Sequence, residues 1–255
     1  MITEESFIDF KCPYCGSAVS FPQENAGFVQ ACPDCTESLI VPDDGSEVGK
    51  SLPLPFETPR LVIRRFAPGD WKDLMELHAA EELFEYTAGR ALAEEEALRW
   101  LESDVHVKLT TPNQTFYLAL ETREPAKLIG YIGLAQTDPQ RCTADLSIFV
   151  NKAFQRQGFA LEALDAVVGF CFEGIRLHRV TASCDSRNTA ARGLFEKLGL
   201  RREGESLKDH LLDGEWSNTV WYAALREDYG AEGDAAPGSD EARMTKDEGR
   251  PQPES

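Results

Sequence analysis

From Arg60 to Tyr229 the apolar positions recur in two alternating rhythms. Arg60–Phe66 alternates with the period of two that marks a half-buried strand. Asp70 then stands where an N-cap belongs, before a helix carrying Trp71, Leu74, Met75 and Leu77. A second helix is predicted near Glu94–Leu109, with Leu98, Leu101 and Val105 at helical spacing. Strands follow at Thr115–Glu121, Lys127–Ala135 and Thr143–Val150, then a helix over Gly158–Phe172 with Leu161, Leu164, Val168 and Phe172 on one face. Arg179–Cys184 reads as a strand and Thr189–Leu198 as a helix, stopped at Gly199. Leu207–Leu212 and Trp216–Ala223 form a hairpin around Asp213-Gly214, a pair suited to a type I′ turn. Strands mixed with helices in this order predict a three-layer α/β domain rather than a bundle or a sandwich.

The flanks break the pattern. Residues 1–42 have little apolar mass, residues 43–57 read as a linker rich in Gly, Pro and charge, and residues 230–255 as a disordered acidic tail. The acidic opening MITEESFIDFKCP does not resemble a signal peptide, and no run of eighteen apolar residues occurs, which points to a cytoplasmic protein with no membrane partner. The formal charge of −18 argues against a nucleic-acid partner, which needs clustered Lys and Arg, and suits a cationic one.

Four of the seven cysteines form two CxxC pairs, Cys12-Pro-Tyr-Cys15 and Cys32-Pro-Asp-Cys35, so the count points to metal or redox chemistry in a reducing compartment. Each pair offers two thiolates to one point, and the two together complete a tetrahedral four-sulfur site for structural Zn²⁺; iron could take the same ligands. A redox dithiol is the competing reading, although it needs only one CxxC. Gly16, just after the first pair, can take the positive φ that turns backbone N–H groups toward the sulfurs. So small a segment would draw much of its folding free energy from the metal.

A strand ending at Val150, the loop Asn151–Phe154 and Gln155-Arg156-Gln157-Gly158-Phe159-Ala160 opening a helix suit an anion site, because helix N-terminal N–H groups point outward with the dipole behind them; an ordinary helix start is the alternative. QRQGFA resembles the (Q/R)-x-x-G-x-(G/A) acetyl-CoA signature of the GNAT superfamily. The stretch LEALDAVVGFCFEGIRLHRVTASCDSRNTAARGLFEKLGLRREG and the later LKDHLLDGEWSNTVWYAALRED are similar to its RimJ/RimL-like branch of N-acetyltransferases. The resemblance runs from about Thr58 to Tyr229. It implies a central mixed sheet splayed between its fourth and fifth strands, with acetyl-CoA as cosubstrate and its pantetheine in the splay. It further implies that Gln155–Ala160 bind the pyrophosphate through main-chain amides, that the backbone near Phe149 and Val150 pairs with pantetheine, and that Asn188 of D-x-x-N touches the cofactor. Asn is also a good N-cap for a helix starting at Thr189.

Acetyl transfer needs a deprotonated amine, an activated thioester carbonyl and a proton for the departing thiolate. Asp145 lies where this branch commonly has Glu and is the candidate base or amine anchor; a solvated strand residue is the alternative. Phe195 stands where many relatives place a Tyr, and Ala191 where RimL-type enzymes often have Ser. His178 and His210, and Cys142, Cys171 and Cys184, receive no role. The acceptor expected is a primary amine, either a protein N-terminus or a small amine. A catalytically weak acyl-CoA sensor recruited through its ribbon is the alternative. A chain starting near Leu52 is expected to fold without the ribbon.

Overall fold

The computed structural model describes residues 6–87, 89–104, 106–111, 114–138 and 142–229. The acidic tail lies outside the described residues. Two small sheets open the chain. One pairs β1 (Phe7–Lys11) with β2 (Ala18–Pro22); the other joins β3 (Val29–Ala31), β4 (Ser38–Ile40) and β5 (Lys50–Ser51). The main sheet holds eight strands among the described residues: β6 (Phe56–Glu57), β7 (Leu61–Arg64), β8 (Thr115–Thr122), β9 (Lys127–Asp138), β10 (Thr143–Val150), β11 (Arg179–Asp185), β12 (Arg201–Leu212) and β13 (Glu215–Leu225). They run in the order β12-β13-β11-β10-β9-β8-β7-β6, antiparallel except for the parallel pair β10–β11.

Helices cover both faces, as the two rhythms predict. On one face α1 (Trp71–His78) and α2 (Glu94–Asp104) bury Leu74, Leu77, Ala97 and Leu101 against Ala119, Leu128 and Tyr131. On the other, α3 (Phe159–Gly169) and α4 (Thr189–Lys197) bury Ala163, Leu164, Val167 and Phe195 in the larger core with Leu118, Ile132 and Val180. Asp213 and Gly214 both have positive φ, as a type I′ turn requires. Gly199, also at positive φ, closes α4: its N–H donates to Glu196 O and that of Leu200 to Phe195 O, the two bonds of a Schellman cap. Asp70 does stand at the N-cap of α1, but its side chain makes no cap bond there; the carboxylate instead accepts from Arg64 at 2.7 and 2.8 Å and from Ala67 N–H at 2.7 Å.

Residues 43–57 are not a free spacer. β5 extends the second ribbon sheet, and β6 pairs with β7 at the edge of the main sheet, where the Phe56 ring stacks on Phe170 at 5.5 Å. Composition hid this, because two-residue strands carry no periodicity. The ribbon itself rests on the larger core: Ile40 belongs to it, Ser38 Oγ lies 3.0 Å from Thr110 Oγ1, Lys108 Nζ lies 2.6 Å from Glu37 Oε1, and Asp43 pairs with Arg176.

A chain starting at Leu52 therefore loses cover over its own core. All four tryptophans, at 71, 100, 216 and 221, lie beyond the ribbon, so their fluorescence reports the larger core alone. Ile40→Ala should lower the stability read by that fluorescence in denaturant by about 2–4 kcal/mol. An unmoved tryptophan transition would mean that the ribbon sits on the domain without supporting it.

Candidate active site and four-cysteine centre

β10 and β11 pair over only half their length. Thr143–Leu146 face Arg179–Ala182 in register, and beyond that point β10 stays paired with β9 while β11 stays paired with β13. A wedge-shaped gap opens between Ser147–Val150 and Ser183–Asp185. Antiparallel pairing alternates the direction of successive backbone groups. Asn151 N–H donates to Ile129 O at 2.7 Å, so in the register Phe149↔Tyr131 the main chain of Phe149 faces β9. Gly130 confirms the direction: a Cβ there would stand 2.2 Å from Phe149 O. The groups that β10 turns to the gap thus belong to Ile148 and Val150. Of the expected pair Phe149 and Val150, Val150 turns its main chain to the gap and Phe149 turns its own to β9. Val150 O accepts from Gln155 Nε2 at 2.9 Å.

At the mouth of the gap the chain turns into α3. Asn151 Oδ1 caps a short 3₁₀ turn by accepting from Ala153 N–H at 3.0 Å. Arg156 (φ 60°) and Gly158 (φ 84°) are both left-handed, and Gly158 is the N-cap residue of α3. Residues 155–158 are exposed, so the turn that leads into the N-terminus of α3 lies at the surface. The side chains of Gln155 and Gln157 turn back to brace the loop, the latter donating to Ala153 O at 2.8 Å. Phe159 packs its ring against Phe154, and Ala160 lies against the larger core.

Asn188 caps α4, with Oδ1 accepting from Ala191 N–H at 2.9 Å. The turn before it is held by Asp185, buried at the end of β11. Its carboxylate accepts from Arg187 N–H (2.9 Å), Arg187 Nη2 (2.7 Å) and Ser217 Oγ (2.7 Å), and His210 Nε2 lies 3.3 Å away. The Arg187 guanidinium holds the carboxyl well below the usual range. Reading His210 as an isolated histidine missed this network, whose one sequence signal is the aspartate of D-x-x-N.

Asp145, Ser147 and Phe149 share the face of the sheet covered by α1 and α2. Asp145 Oδ1 accepts from Thr181 Oγ1 at 2.8 Å, and burial pushes its carboxyl pKa up. The Phe149 ring joins Tyr131 (5.1 Å) and Phe84 (6.5 Å). Tyr131 Oη lies 3.1 Å from Nε2 of His78, whose pKa burial pushes down, so that the imidazole is neutral at pH 7. Outside Phe84 lies a cleft of about 560 Å³ between that loop and the tip of the β12–β13 hairpin, lined by Glu85, Arg90, Leu211, Leu212 and Asp213 among others. Arg90 is spent on Glu96, which leaves Glu85 and Asp213 to set the sign of the cleft. On the opposite face Phe195 packs on Tyr222 at 5.4 Å, and Tyr222 Oη bonds Glu196 Oε1 at 3.1 Å.

The four cysteines meet at one point. Their sulfurs all lie within 4.8 Å of one another, with Cys12–Cys35 at 3.7 Å and Cys15–Cys32 at 3.8 Å. Four thiolates ~2.3 Å from a central ion would be ~3.8 Å apart, so the residues present fit a tetrahedral metal. The two turns repeat each other. Gly16 N–H donates to Cys12 O and Thr36 N–H to Cys32 O, both residues at positive φ. Hydrogen bonding to Ser17 lowers the Cys15 thiol to about 6, whereas burial pushes the Cys12 thiol up.

Comparison with known proteins agrees with this geometry. The family model of the acetyltransferase (GNAT) domain matches residues 60–201. The chain is similar to the uncharacterized N-acetyltransferase YnaD of Bacillus subtilis, 28% identical over 172 residues, covering 68% of this chain and 97% of that one. It is similar to the [ribosomal protein uS5]-alanine N-acetyltransferase of Escherichia coli, 28% identical over 118 residues, covering 45% of this chain and 59% of that one. The crystal structure of a GNAT-family acetyltransferase from Bacillus anthracis superposes with a TM-score of 0.60 at 26% identity, over 67% of this chain and 98% of that one. With a matching family model over more than half its length and the splayed sheet in place, the chain belongs to the GNAT family of N-acetyltransferases.

Proposed function

We propose that the chain transfers the acetyl group of acetyl-CoA to a primary amine through this gap. In this reading the diphosphate rests on the main-chain amides of Gln155–Ala160, which the left-handed Arg156 and Gly158 turn outward. The pantetheine arm lies in the wedge against Ile148 and Val150, and the thioester carbonyl is polarised by an N–H of that edge. Asn188 spends its oxygen on the helix cap, which leaves its NH₂ group for the cofactor. The observation that carries the reading is the parting of β10 from β11 directly beside an exposed helix N-terminus.

The amine enters from the cleft beside Phe84. Glu85 and Asp213 favour a cationic acceptor. Beside them Leu211 and Trp216 are largely exposed, which gives a polypeptide room beyond its first residue. A protein N-terminus fits this outline best, as in the relative named for a ribosomal-protein alanine, and a small cationic amine fits the acidic part alone. Asp145 is the base. It stands four residues from Phe149 on the same face, about 13 Å along the strand, so the proton reaches it through intervening water. Zn²⁺ fills the four-cysteine centre as a structural ion, all four positions being taken by sulfur. Phe195 at the place of the expected tyrosine favours a second reading, in which the fold senses acetyl-CoA without turnover.

Thiol release from acetyl-CoA should follow addition of at least one member of a panel of basic peptides, polyamines and aminoglycosides, and N-terminal blocking should abolish it for a peptide. Tight acetyl-CoA binding with no turnover on any acceptor would select the sensing reading instead. Gly158→Glu should weaken acetyl-CoA binding at least tenfold, about 1.4 kcal/mol, by filling the close approach and repelling phosphate. Unchanged calorimetric binding by the folded variant would remove the diphosphate from this loop. Purified protein should carry one equivalent of zinc, with four thiols becoming titratable on chelation; metal well below stoichiometry, with those thiols free from the start, would refute the centre.

A further inference from the structure

A carboxylate stands where the proposed diphosphate site least tolerates one. Glu162 is in the first turn of α3, its N–H bonded to Gly158 O. Near a helix N-terminus a carboxylate is welcome by itself, but beside a bound diphosphate it repels the ligand. Here both of its oxygens are engaged from outside the helix. Oε1 accepts from Thr58 Oγ1 at 2.5 Å and Arg60 N–H at 2.9 Å, and Oε2 accepts from Arg60 Nε at 2.6 Å. The Glu162 side chain is 16% exposed and that of Arg60 45%, so the pair lies at the surface and is set apart from an ordinary surface salt bridge by its number of hydrogen bonds rather than by burial.

The rest of the Arg60 guanidinium is spent on the loop itself. Nη1 donates to Gln157 O at 2.9 Å, Nη2 lies 3.3 Å from the place a Cβ on Gly158 would take, and the guanidinium carbon sits 4.3 Å over the Phe159 ring. One side chain thus touches Gln157, Gly158, Phe159 and Glu162. Arg60 comes from the residue just before β7, a hundred residues earlier in the chain, so local sequence around the loop gives no hint of it.

We propose that Arg60 is a positioning residue for the cofactor phosphates: it neutralises Glu162 and pins the Gln157–Phe159 turn, so that the amides at the start of α3 form a preformed anion site. The inference rests on the proposed seating of acetyl-CoA. It adds a specific division of labour, in which Arg60 acts through Glu162 and the loop carbonyl rather than by reaching the substrate's reacting atoms. Thr58 serves the same carboxylate, so the segment Thr58–Arg60 works as one clasp.

The test uses the full chain with CoA and with pantetheine, which lacks every phosphate. Arg60→Met keeps an apolar stem for the Phe159 ring and removes the charge. It should weaken CoA binding about tenfold or more and pantetheine binding less than about twofold. Glu162→Gln added to Arg60→Met should recover most of the loss, because the unmasked carboxylate is then gone. Glu162→Gln alone should leave CoA binding within about twofold of the wild type, which keeps the test open should Arg60→Met fail to fold. Equal losses for CoA and pantetheine, or no recovery in the double variant, would make the contact merely structural and overturn the proposal. If Gly158→Glu weakens CoA binding while Arg60→Met does not, the loop site stands and only the role of Arg60 falls. If neither variant affects binding, the seating of the cofactor is itself wrong.

Discussion

The parting of β10 from β11 is the constraint on which the rest depends. A central sheet edge left open beyond Leu146 and Ala182 strands the peptide groups of Ile148 and Val150, and buried peptide groups without partners are costly. The fold meets that cost in two ways. Gln155 reaches back to the Val150 carbonyl, and the remaining groups face an opening that an extended ligand backbone could fill as a surrogate strand. Outside the gap the strands close tightly. Gly130 and Gly133 sit on β9 opposite Val150 and Ser147, and a Cβ at Gly133 would stand 2.6 Å from Ser147 Oγ. The opening is therefore a local exception held by close packing on the β9 side.

The ribbon is tied to the same region through a short covalent path. From the four sulfurs the chain passes through Ile40 in the larger core, β5, and β6 against Phe170, and reaches the Thr58–Arg60 clasp on α3. Folding energy that an ion bound at the cysteines would supply is thus connected to the turn before α3 through these contacts, whereas a docking module on a free tether would leave that turn indifferent to the ion.

Much of this was legible in the sequence, for identifiable reasons. Thr143–Val150 was readable to the residue because Ala144, Leu146, Ile148 and Val150 alternate with Asp145 and Ser147, and the paired CxxC turns because four thiolates at that spacing have few other uses. Asp213-Gly214 and Gly199 were readable because their backbone angles exclude most other residues. What stayed hidden depends on partners distant in the chain. Asp70 has the composition of an N-cap, yet Arg64 competes for its carboxylate and wins with a bidentate, charge-assisted pair. His210 looks isolated until β12 brings it beside Asp185, and Glu162 looks like any exposed helix glutamate until β7 delivers Arg60 to it. Which strand residue turns its main chain toward the gap is a matter of register parity, and that follows from the bond between Asn151 and Ile129 and the approach of Phe149 O to Gly130.

The chemistry of the proposed transfer follows from where protons can come and go. An ordinary thiol has a pKa of about 8.5, so a departing thiolate near neutral pH takes its proton readily from water, and a missing tyrosine costs at most the hundredfold to ten-thousandfold that a positioned acid typically supplies. The amine is the harder partner. Glu85 and Asp213 draw a cation into the cleft but also hold its proton, because a neighbouring carboxylate stabilises the charged form. An α-amino group with a pKa near 7.8 is still unprotonated in about one molecule in seven at pH 7, whereas a primary alkylamine near 10.4 is so in fewer than about one in a thousand. An acidic cleft without an immediate base is thus far more forgiving of an N-terminal α-amine than of a polyamine. In the proposed transfer that single proton passes through water to Asp145, whose pKa burial raises and whose Oδ1 accepts from Thr181.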